Sequence, residues 1–153
     1  MKKVLVLVMC MWAIGTFAQD STKCSVNKYV SWGLSLSNNT DFNTGSYSSL
    51  EFGLVKHDVA VAIVLGRGSL DGIFRNDDVL SNYFYEFKVS PSFPIGKVYG
   101  NIILGYGGYF NANHNFIEYG VGVSYTHKKL GYGVSFSNWD GVDYVTPSIT
   151  FNF

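Results

Sequence analysis

Charged side chains are scarce in this chain, at 14% of residues against roughly 25% in an ordinary soluble domain. That scarcity argues against a surface that faces water all round. Prolines number three and no proline-rich or low-complexity stretch is present, so a disordered linker is excluded. Cysteine occurs twice, at Cys10 and Cys24, too few for a disulfide framework. No charge of one sign dominates, with 11 basic against 11 acidic side chains, so bulk charge does not draw the chain to nucleic acid. Beyond residue 18 there is no run of 18 apolar residues, which excludes a membrane helix from that part. What the chain does have is aromatic residues, 17% of the total, and 17 glycines, in 153 residues. That length suits a single domain.

The amino terminus reads as an address. Met1-Lys2-Lys3 is a cationic start, Val4 to Phe17 is apolar, and Thr16-Phe17-Ala18 offers a small-residue cleavage site before Gln19. Residues 1–18 are therefore expected to be a cleaved signal peptide. A retained helix is the alternative, but Val4 to Ala18 falls short of the roughly 20 residues that a span requires. Met9 before Cys10 and Lys23 before Cys24 fit no lipoprotein site. Of the two cysteines only Cys24 would remain, in a short segment, 19–28, expected on the periplasmic side. Loss of Lys2 and Lys3 leaves 9 basic against 11 acidic residues.

From residue 29 onward the pattern has period two, the signature of strands. In Tyr29 to Ser37, Val30, Trp32, Leu34 and Leu36 alternate with Ser31, Gly33 and Ser35. Seven more segments behave alike: 47–56, 59–67, 82–93, 98–109, 116–126, 130–138 and 143–153. The clearest is Phe116 to Thr126, where Ile117, Tyr119, Val121, Val123 and Tyr125 oppose Glu118, Gly120, Gly122, Ser124 and Thr126. Eight strands are predicted. The second face is mostly Gly, Ser, Ala and Thr, with Glu51, Glu86, Lys88 and Glu118 as its ionised members. It is too small and too uncharged for a water-facing exterior, and it suits the narrow interior of an eight-stranded barrel whose bulky face meets lipid. Closure removes the strand edges that hydrocarbon does not tolerate. The fold class expected is all-β, an eight-stranded antiparallel up-and-down transmembrane β-barrel over 29–153; a soluble sandwich or lipocalin-like barrel is the rival. Links at His57-Asp58, Pro94 to Lys97 and His127 to Lys129 are short, while those between them are as long or longer. Short turns belong in the periplasm, which places both ends of the chain there.

With this pattern in place, the chain resembles the small outer-membrane β-barrels of Gram-negative envelopes, the OmpA-barrel and OmpX-like class, over residues 29–153. The ending Pro147-Ser148-Ile149-Thr150-Phe151-Asn152-Phe153 is similar to the carboxy-terminal signal by which the barrel-assembly machinery recognises its clients. The resemblance implies an outer-membrane location, that machinery as a partner during biogenesis, and an assembly signal at Ile149, Phe151 and Phe153. A monomer among outer-membrane lipid and lipopolysaccharide is expected, with no nucleic-acid partner.

The interior charges are the main candidate site. Glu51, Glu86, Lys88 and Glu118 share the second face, and three acids with one base in a narrow lumen must pair or recruit water. They form either a salt-bridge gate or proton path, or a polar plug that braces the barrel. Ser135-Phe136-Ser137-Asn138 resembles part of the motif of outer-membrane lipid A deacylases, with Ser137 at the serine and Asn138 at the asparagine. Ser135 stands where the histidine base belongs, so the nucleophile has no activator. His57, His114 and His127 are too scattered for a zinc site, and Asp71, Asp77 and Asp78 match no calcium loop. Gly105-Tyr106-Gly107-Gly108 precedes no helix that would hold a phosphate. No catalytic residue, cofactor or metal is expected. Trp32, Trp139 and the tyrosines are assigned to interface belts, with Phe42, Phe74 and Trp139 as loop-tip candidates for surface recognition. The function expected is that of an integral envelope protein, structural or interactive, and not an enzyme. A small-solute or ion pore is the alternative, and a lipid A-modifying barrel enzyme a lesser one.

Overall fold

The computed structural model describes residues 26–37, 46–68, 82–110, 113–139 and 141–153. Eight strands are present: β1 Asn27–Ser37, β2 Ser46–Lys56, β3 Val59–Gly68, β4 Asn82–Ile95, β5 Val98–Tyr109, β6 Asn115–His127, β7 Leu130–Trp139 and β8 Val142–Asn152. Each pairs antiparallel with the next, and β1 pairs with β8 to close the barrel. The expected fold class is therefore the observed one as far as strand number, direction and closure go. Boundaries differ from the alternation by one or two residues; β1 begins at Asn27, inside the segment expected to precede the barrel.

Local chemistry sets the turns. His57 and Asp58 both have positive φ, 49° and 62°, the combination a two-residue type I′ hairpin requires. Gly96, at φ 64°, opens the β4–β5 turn in a conformation that glycine adopts without Cβ strain. Pro91 has no N–H to give, and the β4–β5 ladder lapses between Val89↔Leu104 and Ser92↔Asn101; Ser90 Oγ donates to the Ile102 carbonyl across the gap at 2.9 Å. The turns 57–58, 96–97 and 128–129 lie at one end with the start of β1 and the end of β8, here the turn end. Links 38–45, 69–81, 110–114 and 140–141 join strands at the other, the loop end. The last of these is as short as a turn, because Trp139 and Val142 extend β7 and β8 beyond the limits the alternation gave.

The two faces divide as the period-two pattern predicts. Trp32, Leu50, Phe52, Leu65, Ile102, Leu104, Ile117, Val121, Val123 and Phe136 are exposed on the outside. On β6 the outward band from Ile117 to Tyr125 rises about 26 Å along the strand, which is roughly 20 Å along the axis at a 40° tilt. Tyrosines edge this band at both ends: Tyr125 and Tyr132 at the turn end, Tyr83 and Tyr106 at the loop end. Ionisable side chains reach the outer wall only beyond the band among the described residues, as Lys28 and Lys56 at one end and Arg67 and Asp143 at the other.

Candidate functional site

The barrel interior has two compartments, a division that a second face of mostly Gly, Ser, Ala and Thr did not reveal. In the loop-end half aromatic side chains fill the interior. Phe84, Tyr109, Phe116, Trp139 and Tyr144 are buried and pack with Val64, and Tyr47 lies against them. Trp139 is the hub, with ring centroids 4.1 Å from Phe116 and 4.7 Å from both Phe84 and Tyr47. At 5% exposure it belongs to neither an interface belt nor a loop tip. The physical reason is parity: β7 runs on to residue 139, which shares the inward side with Ser135 and Ser137. Phe42 and Phe74, the other loop-tip candidates, lie outside the described residues.

The turn-end half is a cavity of about 200 Å³ lined by Ser31, Ser49, Ser90, Ser124, Ser148 and Thr150, among other small polar residues. Its lining reaches the turn-end rim at Val55, Ala60, Gly131 and Asn152. Several of the wall hydroxyls bond to one another or to backbone: Thr150 Oγ1 to Ser31 Oγ at 2.9 Å, Ser31 Oγ to the Ile149 carbonyl at 3.2 Å, Ser35 Oγ with Thr146 Oγ1 at 2.6 Å. Small polar side chains leave water room and offer it partners.

Between the compartments stand the four charged residues that the sequence singles out, and the structure brings all four together. Lys88 Nζ lies 2.9 Å from Glu51 Oε2 and 4.0 Å from Glu118 Oε2. Tyr29, inward on β1, donates its hydroxyl to Glu51 Oε1. Glu86 and Glu118 meet over Gly105, where an added Cβ would stand 1.7 Å from Glu86 Oε1 and 3.2 Å from the Glu118 Cβ. A side chain at 105 would push the Glu86 carboxylate from this place. Glu86 Oε1, Ser137 Oγ and Trp139 Nε1 are buried without a hydrogen-bond partner among the described residues, although Ser137 faces Glu118 closely enough to interact with it. Lys88 and Glu51 touch the polar cavity, whereas Glu86 and Glu118 lie on the aromatic side. Chemically the cluster braces β1, β2, β4 and β6 across the lumen, a contact no hairpin supplies.

The remaining expectations are placed as follows. Ser137 is buried on the inner side, and Asn138 beside it points outward and donates to Asp143 Oδ1 at 2.7 Å, so the deacylase-like segment presents no hydroxyl to the outer wall. Ile149, Phe151 and Phe153 line up on the outer face at the turn end, where the Phe153 N–H donates to the Lys28 carbonyl at 2.9 Å. His57 and His127 border turns, while His114 stacks on Tyr109 at 6.1 Å at the loop end. Asp71, Asp77, Asp78, Cys24 and the signal segment 1–18 lie outside the described residues. Tyr29 and the aromatic cluster are what sequence reasoning missed; the signal available was the inward parity of Tyr47, Phe84, Phe116 and Tyr144. The chain matches no protein-family model, and no curated protein is similar enough in sequence to be counted a relative.

Proposed function

We propose that the chain is an integral outer-membrane barrel of a Gram-negative envelope, exported through a cleaved signal peptide, with a structural or surface-interaction role and no open pore. The observation that carries this reading is the barrel's inside-out construction. Its bulky apolar side chains cover the outer wall between two tyrosine edges, and between those edges its ionised groups are confined to the lumen. Water would leave that wall unsatisfied, while hydrocarbon suits it. An aromatic seal across the loop-end half favours a closed barrel over the pore alternative. The missing histidine and the inward Ser137 count against a lipid A-modifying enzyme. Lipid, lipopolysaccharide and, during biogenesis, the barrel-assembly machinery are the partners this reading entails, with the barrel acting as a monomer.

The test is to refold the mature chain in detergent or phospholipid vesicles. It is expected to fold only there, to migrate differently in gels before and after heating, and to give no discrete conductance steps in planar bilayers. A cooperative unfolding transition in detergent-free buffer would sink the membrane reading, and stable single-channel steps would replace the closed barrel with a pore. The assembly signal has its own test. Phe153→Asp puts a charge where the outer face ends in an exposed phenyl ring, and is expected to lower outer-membrane levels several-fold without affecting signal cleavage, measured by fractionation at native expression. Unchanged levels would remove Phe153 from that role.

A further inference from the structure

Net charge near zero conceals a separation that the topology exposes. At the turn end stand Lys28, Lys56, Lys97, Lys128 and Lys129, with Asp58 the sole acidic side chain there among the described residues. Every turn at this end has a lysine in it or directly before it, so the charge runs round the rim instead of forming one patch. Lys28, Lys97, Lys128 and Lys129 are exposed, and Lys56 is partly so. At the loop end the described residues show no such excess: Arg67 and Asp143 both face outward there. The lumen holds three carboxylates and one ammonium. Among the described residues the barrel is thus positive at its turn-end rim, negative in its lumen and balanced at its other rim.

Two of the lysines also point the right way to meet lipid. Lys28 and Lys56 lie on neighbouring strands, on the same outer face as Trp32 and Phe52, just below the apolar band. Tyr125 and Tyr132 sit at the same level elsewhere on the wall. Amphipathic rings of this kind settle at the headgroup layer, and a lysine beyond them carries its ammonium to the phosphates while its stem stays on apolar surface. We infer that the turn-end rim binds the headgroups of anionic phospholipids in the leaflet that it faces. The inference rests on the membrane reading above and adds to it a lipid class and a side. Zwitterionic headgroups carry no net charge for the ring to attract, whereas each lysine at an anionic surface gives about a fivefold preference, from ~1 kcal/mol per charge.

Trp32 supplies the reporter, because it is exposed on the outer wall four residues from Lys28, while Trp139 is buried inside. The folded mature chain is placed in phosphatidylcholine vesicles in which a portion of the lipid is phosphatidylglycerol, and bromine is carried on the acyl chains of one lipid or the other. Brominated phosphatidylglycerol is expected to quench Trp32 with a several-fold higher relative binding constant than brominated phosphatidylcholine. That preference should shrink as salt is raised and fall towards unity in a Lys28→Gln/Lys56→Gln variant. Equal quenching by the two lipids, a preference indifferent to salt, or one that survives the double substitution would overturn the inference. The salt series on the unaltered chain decides the matter should the variant not fold. A chain that inserts but shows no preference overturns this inference alone; quenching by neither lipid overturns the membrane reading and this inference with it.

Discussion

Lys88→Met is expected to destabilise the folded barrel by about 3 kcal/mol, the lower end of the cost of removing one partner from a buried ion pair. The substitution keeps an unbranched apolar side chain one atom shorter than that of lysine, so the change is chiefly electrostatic. It leaves Glu51, Glu86 and Glu118 facing one another across the lumen without the ammonium that lies 2.9 Å from the first and 4.0 Å from the last. The lower end applies because Glu51 and Lys88 keep 19% and 17% of their side-chain surface accessible and border the polar cavity, where water can solvate a freed carboxylate. Adding Glu51→Gln to the variant should restore part of the loss, since it removes one of the stranded charges while the amide can still accept from Tyr29. Urea unfolding in lipid vesicles measures both. The same variant separates the two readings of the cluster. A polar brace leaves Lys88→Met electrically silent, because the aromatic seal lies on the loop-end side of the charges; a salt-bridge gate predicts discrete conductance steps from the single substitution.

Alternation was enough to place all eight strands because lipid and lumen impose opposite demands on successive residues, and β6 shows that contrast at every position from Ile117 to Tyr125. It was less informative where both faces accept the same side chain. An aromatic ring suits the headgroup layer and a packed interior equally well, so Phe84 and Phe116 have readable parity but no compositional mark to distinguish a seal from a belt. Trp139 was lost for a smaller reason: a strand ended one residue early leaves its last side chain without a face. The charged cluster was legible as a set of residues but not as a set of contacts. That Lys88 on β4 reaches Glu51 on β2 and Glu118 on β6 depends on barrel closure and stagger, which are properties of all eight strands together and of no local window. The basic rim is a case between these. Its lysines are evident in the sequence, yet only the connectivity shows that five of them share one end.

The seal gives the second large effect, and here packing and not charge decides. Phe84 is 2% exposed, its ring meeting Tyr47 at 5.2 Å, Trp139 at 4.7 Å and Phe116 at 6.0 Å. It also lies across Gly66, where an added Cβ would stand 2.1 Å from the Phe84 Cζ. The ring is held on one side by rigid backbone and on the others by side chains rooted in hydrogen-bonded strands. Those walls cannot collapse into the space that Phe84→Ala leaves, so the cavity term adds to the transfer term and the expected loss is about 3–5 kcal/mol. Gly66→Ala should also destabilise, by forcing the same ring into its neighbours. The two changes share one contact and are not expected to add. In the Phe84→Ala background the new methyl group enters space the ring has vacated, and the double variant should be about 1–2 kcal/mol more stable than the sum of the single losses predicts. Unfolding all four proteins in the same lipid tests this. Strict additivity would show that Phe84 does not rest on Gly66, and a loss below about 1 kcal/mol for Phe84→Ala would show that the loop-end interior is hydrated and not sealed by a dry aromatic core.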